Sequence, residues 1–549
     1  MTVFELLIAA FFFAASTHAV HSYKADPSVP KFADAYHATG TLQLPYAELN
    51  EPFEIYFNGT RKCSWVSMYN GIDMVFNRGD LAKGGAVFSI SPTVKDSKVV
   101  PKYCFLINGT KDHPVMPQSW LPDLTGFKYG GVALEDGQKL DMWVNTTTIQ
   151  NRTNKYTFYT SKTKPVKPAR YVMMGYDSLI GSHFDKYIVD YDTYEEPSSI
   201  SAKVFDVPEG LKCGSFPGPG IEKHIVANPY QEVTHPERGD RYAQLFDEFK
   251  EKHDRKYGND REHSRRQVTF TNNVRFIHAH NRKPLSYKLA INPLADRHAD
   301  ELRRTRGRLI SKGYNGGLPF DSSEINPADV PDAIDWNLIG AVSQVKDQAT
   351  CGSCWSFGST GAIEGAYYVK NKKMVRFSQQ NLMDCSWEYG NNGCNGGEEY
   401  RSYQYIIDHK GLMTEEDYGG YLGQNGQCHF DASKAMVKIK SYTNVTSGDQ
   451  DALKKAIGTL GPVAVGIDAS RPTFSFYSHG VYYDKNCGNT TDDLDHAVLA
   501  VGYGEMDKKK YWLIKNSWST YWGNNGYVMI DWKDNNCGVA SDATFVTLE

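Results

Sequence analysis

Seven of the ten cysteines fall after residue 350, at Cys351, Cys354, Cys385, Cys394, Cys428, Cys487 and Cys537. In a secreted domain cysteines pair, and such cross-links fix which loops lie side by side. Seven is odd, so one thiol is left over. In an oxidising compartment a lone thiol is either buried and inert or kept for its reactivity. Cys351 and Cys354 stand together in DQATCGSCWSF, residues 347–357, ahead of a long helix-like run. A metal site needs about four ligands, and no second CxxC or His pair at metal spacing lies nearby. A thioredoxin-like redox pair needs a βαβ setting that the flanking residues do not supply. Two readings stay open: both cysteines in disulfides with a different one free, or one structural cysteine beside one nucleophile.

The premise of secretion rests on two signals. MTVFELLIAAFFFAASTHAV reads as a signal peptide over residues 1–19, with an apolar core from Leu6 to Ala15 and cleavage after Ala19, although no Lys or Arg precedes the core. Asn-x-Ser/Thr glycosylation acceptors stand at Asn58, Asn108, Asn145, Asn151, Asn444 and Asn489. The expected location is the secretory pathway, ending outside the cell or in a lysosomal or granule lumen. A net charge of −4 gives no reason to expect nucleic acid as a partner. No segment after the leader is long and apolar enough to span a membrane.

At 549 residues the chain should hold two to four domains. Residues 40–205 carry short alternating apolar runs such as FEIYF, AVFSI, YTFYT and YIVDY, punctuated by Gly, Asn and Asp. This is the pattern of an antiparallel sheet, expected as a sandwich or partly open barrel. Residues 206–240 are rich in Pro and Gly, with GSFPGPG the clearest linker. From Arg241 the texture is helical and charged, until a Gly/Pro/Ser/Asn stretch at 306–330. The expected division is 20–235 for the β-rich domain and linker, 236–330 for a helical segment with its own linker, and 331–549 for the last domain. Residues 241–310 carry a net +8 and residues 331–549 a net −7. Opposite signs fit a basic segment docked on an acidic domain.

A thiol nucleophile needs a base, a group that orients the base, and donors for the oxyanion. His496 lies 142 positions after Cys354 in DHAVLAVGYG, a strand-like run, and Asn516 lies 162 positions after it in KNSWSTYWGNNGY. CGSCW fits the C-G-[SA]-C-[WY] signature of cysteine proteases with a distant His and Asn. With DWNLIGAVSQVKDQATCGSCWSF, SQQNLMDC and NGCNGG in the same order, residues 331–549 resemble a papain-family cysteine protease of the cathepsin L type.

The resemblance implies an α+β, two-lobed fold. A helical lobe would carry Cys354, and a β-barrel lobe His496 and Asn516. It implies Cys354 as nucleophile, His496 as acid/base and Asn516 as orienting residue beneath Trp518. Gln348 and the Cys354 backbone N–H would be the oxyanion donors. It implies disulfides Cys351–Cys394, Cys385–Cys428 and Cys487–Cys537, which leave Cys354 free. No metal or cofactor is implied. The helix dipole and a nearby imidazolium should depress the Cys354 pKa. Ser519, where the family more often has Gly, departs from the pattern.

The main specificity pocket would be formed by Gly396, Gly397, Glu398, Glu399, Gly466, Asp495, Ala497 and Asp542, beside Trp518. Glu398 and Glu399 stand where apolar residues are common. Either Glu398 points to water and Asp542 is solvated, or the pocket tolerates Arg or Lys second before the scissile bond.

Glu262, Arg266, Phe270, Asn273, Ile277 and Asn281 recur at steps of three and four, one stripe of a helix. They match the inhibitory prosegment pattern of these proteases, and INPLAD (291–296) resembles the motif that follows it. The implied product is an endopeptidase made as a zymogen, acting on proteins or peptides, with its own prosegment as inhibitor. Acid is expected to loosen the docked prosegment by protonating carboxylates. The N-terminal third has no place in an ordinary precursor of this family. The overall arrangement resembles the two-chain haemocyte cysteine proteinases of insects, and leaves open whether the N-terminal chain stays associated after processing. Cys63–Cys104 is the expected pair there, with Cys213 a free thiol or interchain link. The rival function is a catalytically silent protease fold whose β domain is a binding module.

Overall fold

The computed structural model describes residues 26–45, 49–95, 98–111, 114–149, 152–176, 184–215 and 241–549. The leader, the Asn151 acceptor and most of the GSFPGPG linker lie outside the described residues.

The alternating runs form eleven antiparallel strands: β1 (Ala35–Leu44), β2 (Leu49–Asn58), β3 (Cys63–Met68), β4 (Asp73–Arg78), β5 (Ala86–Lys95), β6 (Lys98–Asn108), β7 (Lys128–Glu135), β8 (Gln138–Ile149), β9 (Arg152–Ser161), β10 (Pro168–Tyr176) and β11 (Phe184–Glu195). A short twelfth, β12 (Cys213–Ser215), adds in parallel to β6. The order is β12-β6-β5-β4-β3-β2-β1-β11-β10-β9-β8-β7, so two meanders spread from a central β1. Among the described residues this path is open, with β12 and β7 at its ends, rather than a closed barrel. β1 alternates buried and half-buried positions along its length, as period-two patterning requires. One cluster joins Tyr36, Phe53, Val66, Trp143, Phe158 and Tyr191 across both meanders. Trp120, from the β6–β7 connection, seals it by stacking on Phe53 at 3.9 Å, and its carbonyl accepts from the Tyr191 hydroxyl at 2.5 Å.

The expected Cys63–Cys104 disulfide does not form. Cys104 on β6 is in register with Cys213 on β12, and these two are joined, leaving Cys63 a buried free thiol. β4 and β5 lie between β3 and β6, which sets Cys63 and Cys104 about 14 Å apart at ordinary strand spacing. That is beyond the reach of a disulfide.

Two helices follow, α1 (Arg241–Lys252) and α2 (Asp260–Asn281). Asn259 caps α2 by accepting from Glu262 N–H. The periodic stripe of α2 grips the chain that comes after it. Arg266 bonds Glu262 at 2.6 Å, Glu301 at 2.9 Å and the Asp296 carbonyl at 3.1 Å. Asn273 donates to the Ala295 carbonyl at 2.8 Å. Asn281 closes a reciprocal pair with the Leu289 backbone at 2.8 and 2.9 Å. Phe270 and Ile277 between them are buried.

Residues 331–549 divide into two lobes. One is helical, built on α3 (Cys354–Asn371), with a core that includes Trp355, Ile363, Leu382 and Tyr403. The other is a sheet whose core includes Val465, Ile467, Trp512 and Trp522. Two strands from the preceding segment extend that sheet at its ends: β13 (Tyr287–Leu289), antiparallel to Tyr477–Tyr482, and Leu318–Pro319, parallel to Ile439–Asn444. Disulfides join Cys351–Cys394, Cys385–Cys428 and Cys487–Cys537. Among the described residues no helix is long and apolar enough to cross a membrane.

Arg266 is the hub of the helical segment, so truncating it removes the bonds to Glu262, Glu301 and the Asp296 carbonyl and leaves Glu301 to Arg297 and the His298 N–H. In a chain made inactive by Cys354→Ser, Arg266→Ala should lower the stability of residues 241–310 by about 2–3 kcal/mol. Hydrogen exchange over α2 should rise while exchange over α3 stays unchanged.

Candidate active site

α3 places Cys354 at its first turn, fully buried. The long strand β14 (His496–Met506) opens with His496, also fully buried. His496 Nε2 hydrogen-bonds Asn516 Oδ1 at 2.8 Å. Asn516 is itself tied down by its backbone N–H on the Gly526 carbonyl. Trp518 lies 4.8 Å from the imidazole at 32° and covers it. The other ring nitrogen, Nδ1, is buried without a hydrogen-bond partner among the described residues. Gln348 is held by the Ser517 hydroxyl, which donates to its Oε1 at 2.6 Å. That bond fixes the amide so that Nε2 donates to the Thr305 carbonyl at 2.9 Å and the Cys351 carbonyl at 2.7 Å.

Thr305 ends the short helix Ala299–Arg304 of the basic segment, and the chain after it runs through the cleft, with an isolated parallel bridge from Arg308 to Gly397. Gly307 N–H donates to Cys354 Sγ at 3.3 Å, and Gly307 carbonyl accepts from Gly397 N–H at 2.9 Å. Leu309 N–H returns to the Gly397 carbonyl at 2.9 Å, and Arg308 N–H donates to the Asp495 carbonyl at 3.1 Å. Gly307 has to be glycine: a Cβ there would meet the Gly352 carbonyl oxygen at 1.9 Å.

Arg308 enters a pocket that brings together Gly397, Glu399, Gly466 and Asp542. Its guanidinium is ion-paired with Asp542 and lies 3.7 Å from Glu399. Gly466 makes room for it, since a Cβ there would lie 2.9 Å from Arg308 Nε. Burial works against the guanidinium charge, but Glu399 and Asp542 outweigh it and hold Arg308 firmly protonated. Burial pushes Glu399 up to about 7 against the pull of Arg308. Asp542 is more open to solvent and makes the closer contact, so it carries the ion pair. Glu398 does not point to water: it is 2% exposed, accepts from Ser311 N–H and hydroxyl, and pairs with Arg401 at 2.8 Å. Asp495 pairs with Arg306 at 3.0 Å and is pushed by burial up to about 6. Ala497 lies beside the thiol, and its backbone bonds Cys354. Gly396 adjoins the Gly397 backbone contact.

The structure thus gathers Gln348, Cys354, His496 and Asn516 around one short stretch, residues 305–309. Sequence reasoning missed Thr305, Arg306, Arg308, Ser517 and Arg401. The run RRTRGR, residues 303–308, was the available signal, a block of positive charge that ends the helical segment. The thiol is not in the state expected from the helix dipole. Burial beneath the segment pushes Cys354 up to about 12, although N–H groups of Ala497 and Gly307 oppose the shift. Burial likewise lowers His496 to about 4.

Comparison with known proteins matches two family models. Residues 330–547 match the papain family cysteine protease, and residues 246–302 match the cathepsin propeptide inhibitor domain. A cathepsin L-like peptidase of Aedes aegypti is 43% identical over 310 residues, which are 54% of this chain and 91% of that protein. Digestive cysteine proteinase 3 of Homarus americanus is 40% identical over 55% of this chain and 94% of its own length. Among solved structures, digestive procathepsin L 3 of the Tenebrio molitor larval midgut aligns with a TM-score of 0.52 and 38% identity, over 56% of this chain and 99% of its own. With a cleft of this composition, closed by its own preceding segment, the chain belongs to the papain family of cysteine proteases and is a cathepsin L-like zymogen with its inhibitor propeptide in place.

Proposed function

We propose that the chain is a cysteine endopeptidase of the secretory pathway that prefers or tolerates a basic residue second before the scissile bond. We take residues 20–235, 236–330 and 331–549 as its β-rich domain, prosegment and enzyme. Four disulfides support passage through an oxidising compartment.

In this reading the prosegment leaves and water returns to the cleft, so Cys354 and His496 exchange a proton to form a thiolate–imidazolium pair. The thiolate attacks the substrate carbonyl carbon, and the carbonyl electrons move to oxygen. That oxyanion takes the Gln348 Nε2–H which now binds Thr305, together with the Cys354 backbone N–H. His496 gives its proton to the leaving amine as the C–N bond breaks, leaving an acyl-enzyme. His496 then takes a proton from water, the hydroxyl displaces Cys354 sulfur, and the acid product leaves. Asn516 holds the imidazole so that Nδ1 is the nitrogen free for the thiol. The prosegment is spared because Gly307 offers Sγ an N–H rather than a carbonyl carbon.

The observation that carries the preference is Arg308 seated between Asp542 and Glu399. Glu398 contributes less, its charge being matched by Arg401. Peptides matched except for Arg or Leu at that position should differ in kcat/KM in favour of Arg. Asp542→Ala should cut the Arg peptide by roughly tenfold and spare the Leu peptide. A Leu preference that Asp542→Ala leaves untouched removes the basic pocket from the reading. A thiol-directed epoxide should label the processed enzyme, leave the precursor unlabelled, and fail on Cys354→Ala. Labelling of Cys354→Ala at the parental rate would move the nucleophile elsewhere.

Carboxylate protonation has the required sign at Glu301, where burial is outweighed by bonds from Arg266, His298 and Arg297 that hold the group down at about 2, but it acts only below about pH 4.5, so release at higher pH needs a different cause. Glu399 and Asp495 are already pushed up while the prosegment is docked, so gaining a proton does not favour release. The prosegment histidines have the required sign. Burial, helped by nearby Lys and Arg charges, lowers His253 to about 4 and His280 to about 3, and also lowers His263 and His298. A released prosegment takes up protons near pH 6.5 that the docked one refuses. Its docking is therefore complete above about pH 6.5 and weakens progressively as pH falls toward 4. Self-processing should accelerate across that window. Replacing His253 and His280 with Gln should move its midpoint down by roughly half a pH unit. A processing rate flat with pH, or a midpoint unmoved by both substitutions, would reject the histidine trigger.

A further inference from the structure

The prosegment helix α2 has a second face, and it is covered. Phe276 and Ala279 pack into the aromatic core of the N-terminal sheet. Arg275, 9% exposed, donates Nη2–H to the Tyr187 hydroxyl on β11 at 2.6 Å and lies 5.2 Å over that ring. Just past the helix, Arg282 is ion-paired with Glu51 on β2 and stands 3.7 Å from Asp73 on β4. Tyr69 donates to the same Glu51 at 3.2 Å. Lys288 on β13 donates to the Asn281 carbonyl at 2.6 Å and the Lys283 carbonyl at 3.2 Å, and its charge bears on Asp73.

Glu51 and Asp73 are 1% and 4% exposed. Each sits at the same end of its strand, with β3 between the two, beside the β3–β4 turn. Two buried carboxylates so close to each other are costly unless cations match them. The cations come from the prosegment. The environment is dry on both sides: burial pushes Asp73 up to about 7 against Arg282, and lowers Lys288 to about 8 against Asp73. On its far side the same β13 pairs with the enzyme strand Tyr477–Tyr482. The prosegment is therefore held between the enzyme and the sheet.

We propose that the N-terminal β domain is a docking receptor for the basic C-terminal end of the prosegment helix, and that it acts as a second clamp on the inhibitor. Its acidic pair and the Tyr187 ring recognise three basic side chains, Arg275, Arg282 and Lys288, presented by a helix end and the short strand after it. The clamping role rests on residues 241–330 being the inhibitor. The binding itself can be measured without catalysis.

The test uses the full chain carrying Cys354→Ser, with a sequence-specific cleavage site placed between residues 216 and 240. After cutting, the two pieces should co-elute on size exclusion. Arg282→Gln should speed their dissociation by roughly tenfold or more. Glu51→Gln should match it, and the double variant should be no worse than either single, because both remove one interaction. Tyr187→Phe takes away a single hydroxyl and should speed dissociation by a smaller factor while keeping the parental unfolding transition. Pieces that separate on cutting, while each keeps a cooperative unfolding transition, would overturn the proposal. So would an Arg282→Gln chain that holds the sheet as tightly as the parent. In the active chain the same variants should process themselves several-fold faster at one fixed pH. An unchanged processing rate over a weakened interface would remove the clamp and leave the protease reading intact.

Discussion

One backbone amide governs the precursor. Gly307 N–H rests on the Cys354 sulfur, and it can do so because neither Gly307 nor Gly352 carries a side chain where the segment crosses the helix N-terminus. The position of that amide sets the rest. It brings the Thr305 carbonyl to the Gln348 amide, sends Arg308 into the acidic pocket, and excludes water from the thiol and the imidazole. Inhibition thus has two parts with different physics. One is steric, a chain segment in the cleft that presents a backbone N–H to the Cys354 sulfur. The other is electrostatic, since near neutrality a dry thiol at about 12 keeps its proton and a dry imidazole at about 4 does not take it up.

The way the prosegment is held explains why its sequence repeats as it does. The α2 stripe is amphipathic in the ordinary sense only at Phe270 and Ile277. Arg266, Asn273 and Asn281 use the same face to bond backbone carbonyls of the returning chain. A helix that organises an irregular segment needs polar groups on its inner face, and each is satisfied there. The strand ends add a further constraint, because β13 and Leu318–Pro319 extend the enzyme's own sheet.

Much of this was legible in the chain, and the failures have a common cause. The cysteine surplus, the spacing to His496 and Asn516 and the three–four periodicity of α2 are local or motif-borne, and the residues they single out come together in the fold. Alternation gave the strands of the N-terminal sheet, yet not its open order. Cys104 pairs with Cys213 across 109 residues, through a parallel register that no local pattern encodes. The depressed thiol pKa expected from the helix dipole was overridden by burial under a distant segment. The basic run ending in Arg308 could be read as charge, but its placement between Glu399 and Asp542 depends on the direction in which the segment threads the cleft.

The buried state of Cys354 matters before any substrate is met. Six neighbouring cysteines must find their partners in an oxidising lumen while a seventh, a few residues from Cys351, stays out of the exchange. Thiol–disulfide exchange and oxidation to sulfenic acid both proceed through the thiolate. A sulfur pushed up to about 12 and capped by an amide supplies almost none. On the proposed reading of Cys354 as the nucleophile, the docked prosegment is its protecting group in the synthetic sense, a shield over the sulfur for as long as it stays in the cleft.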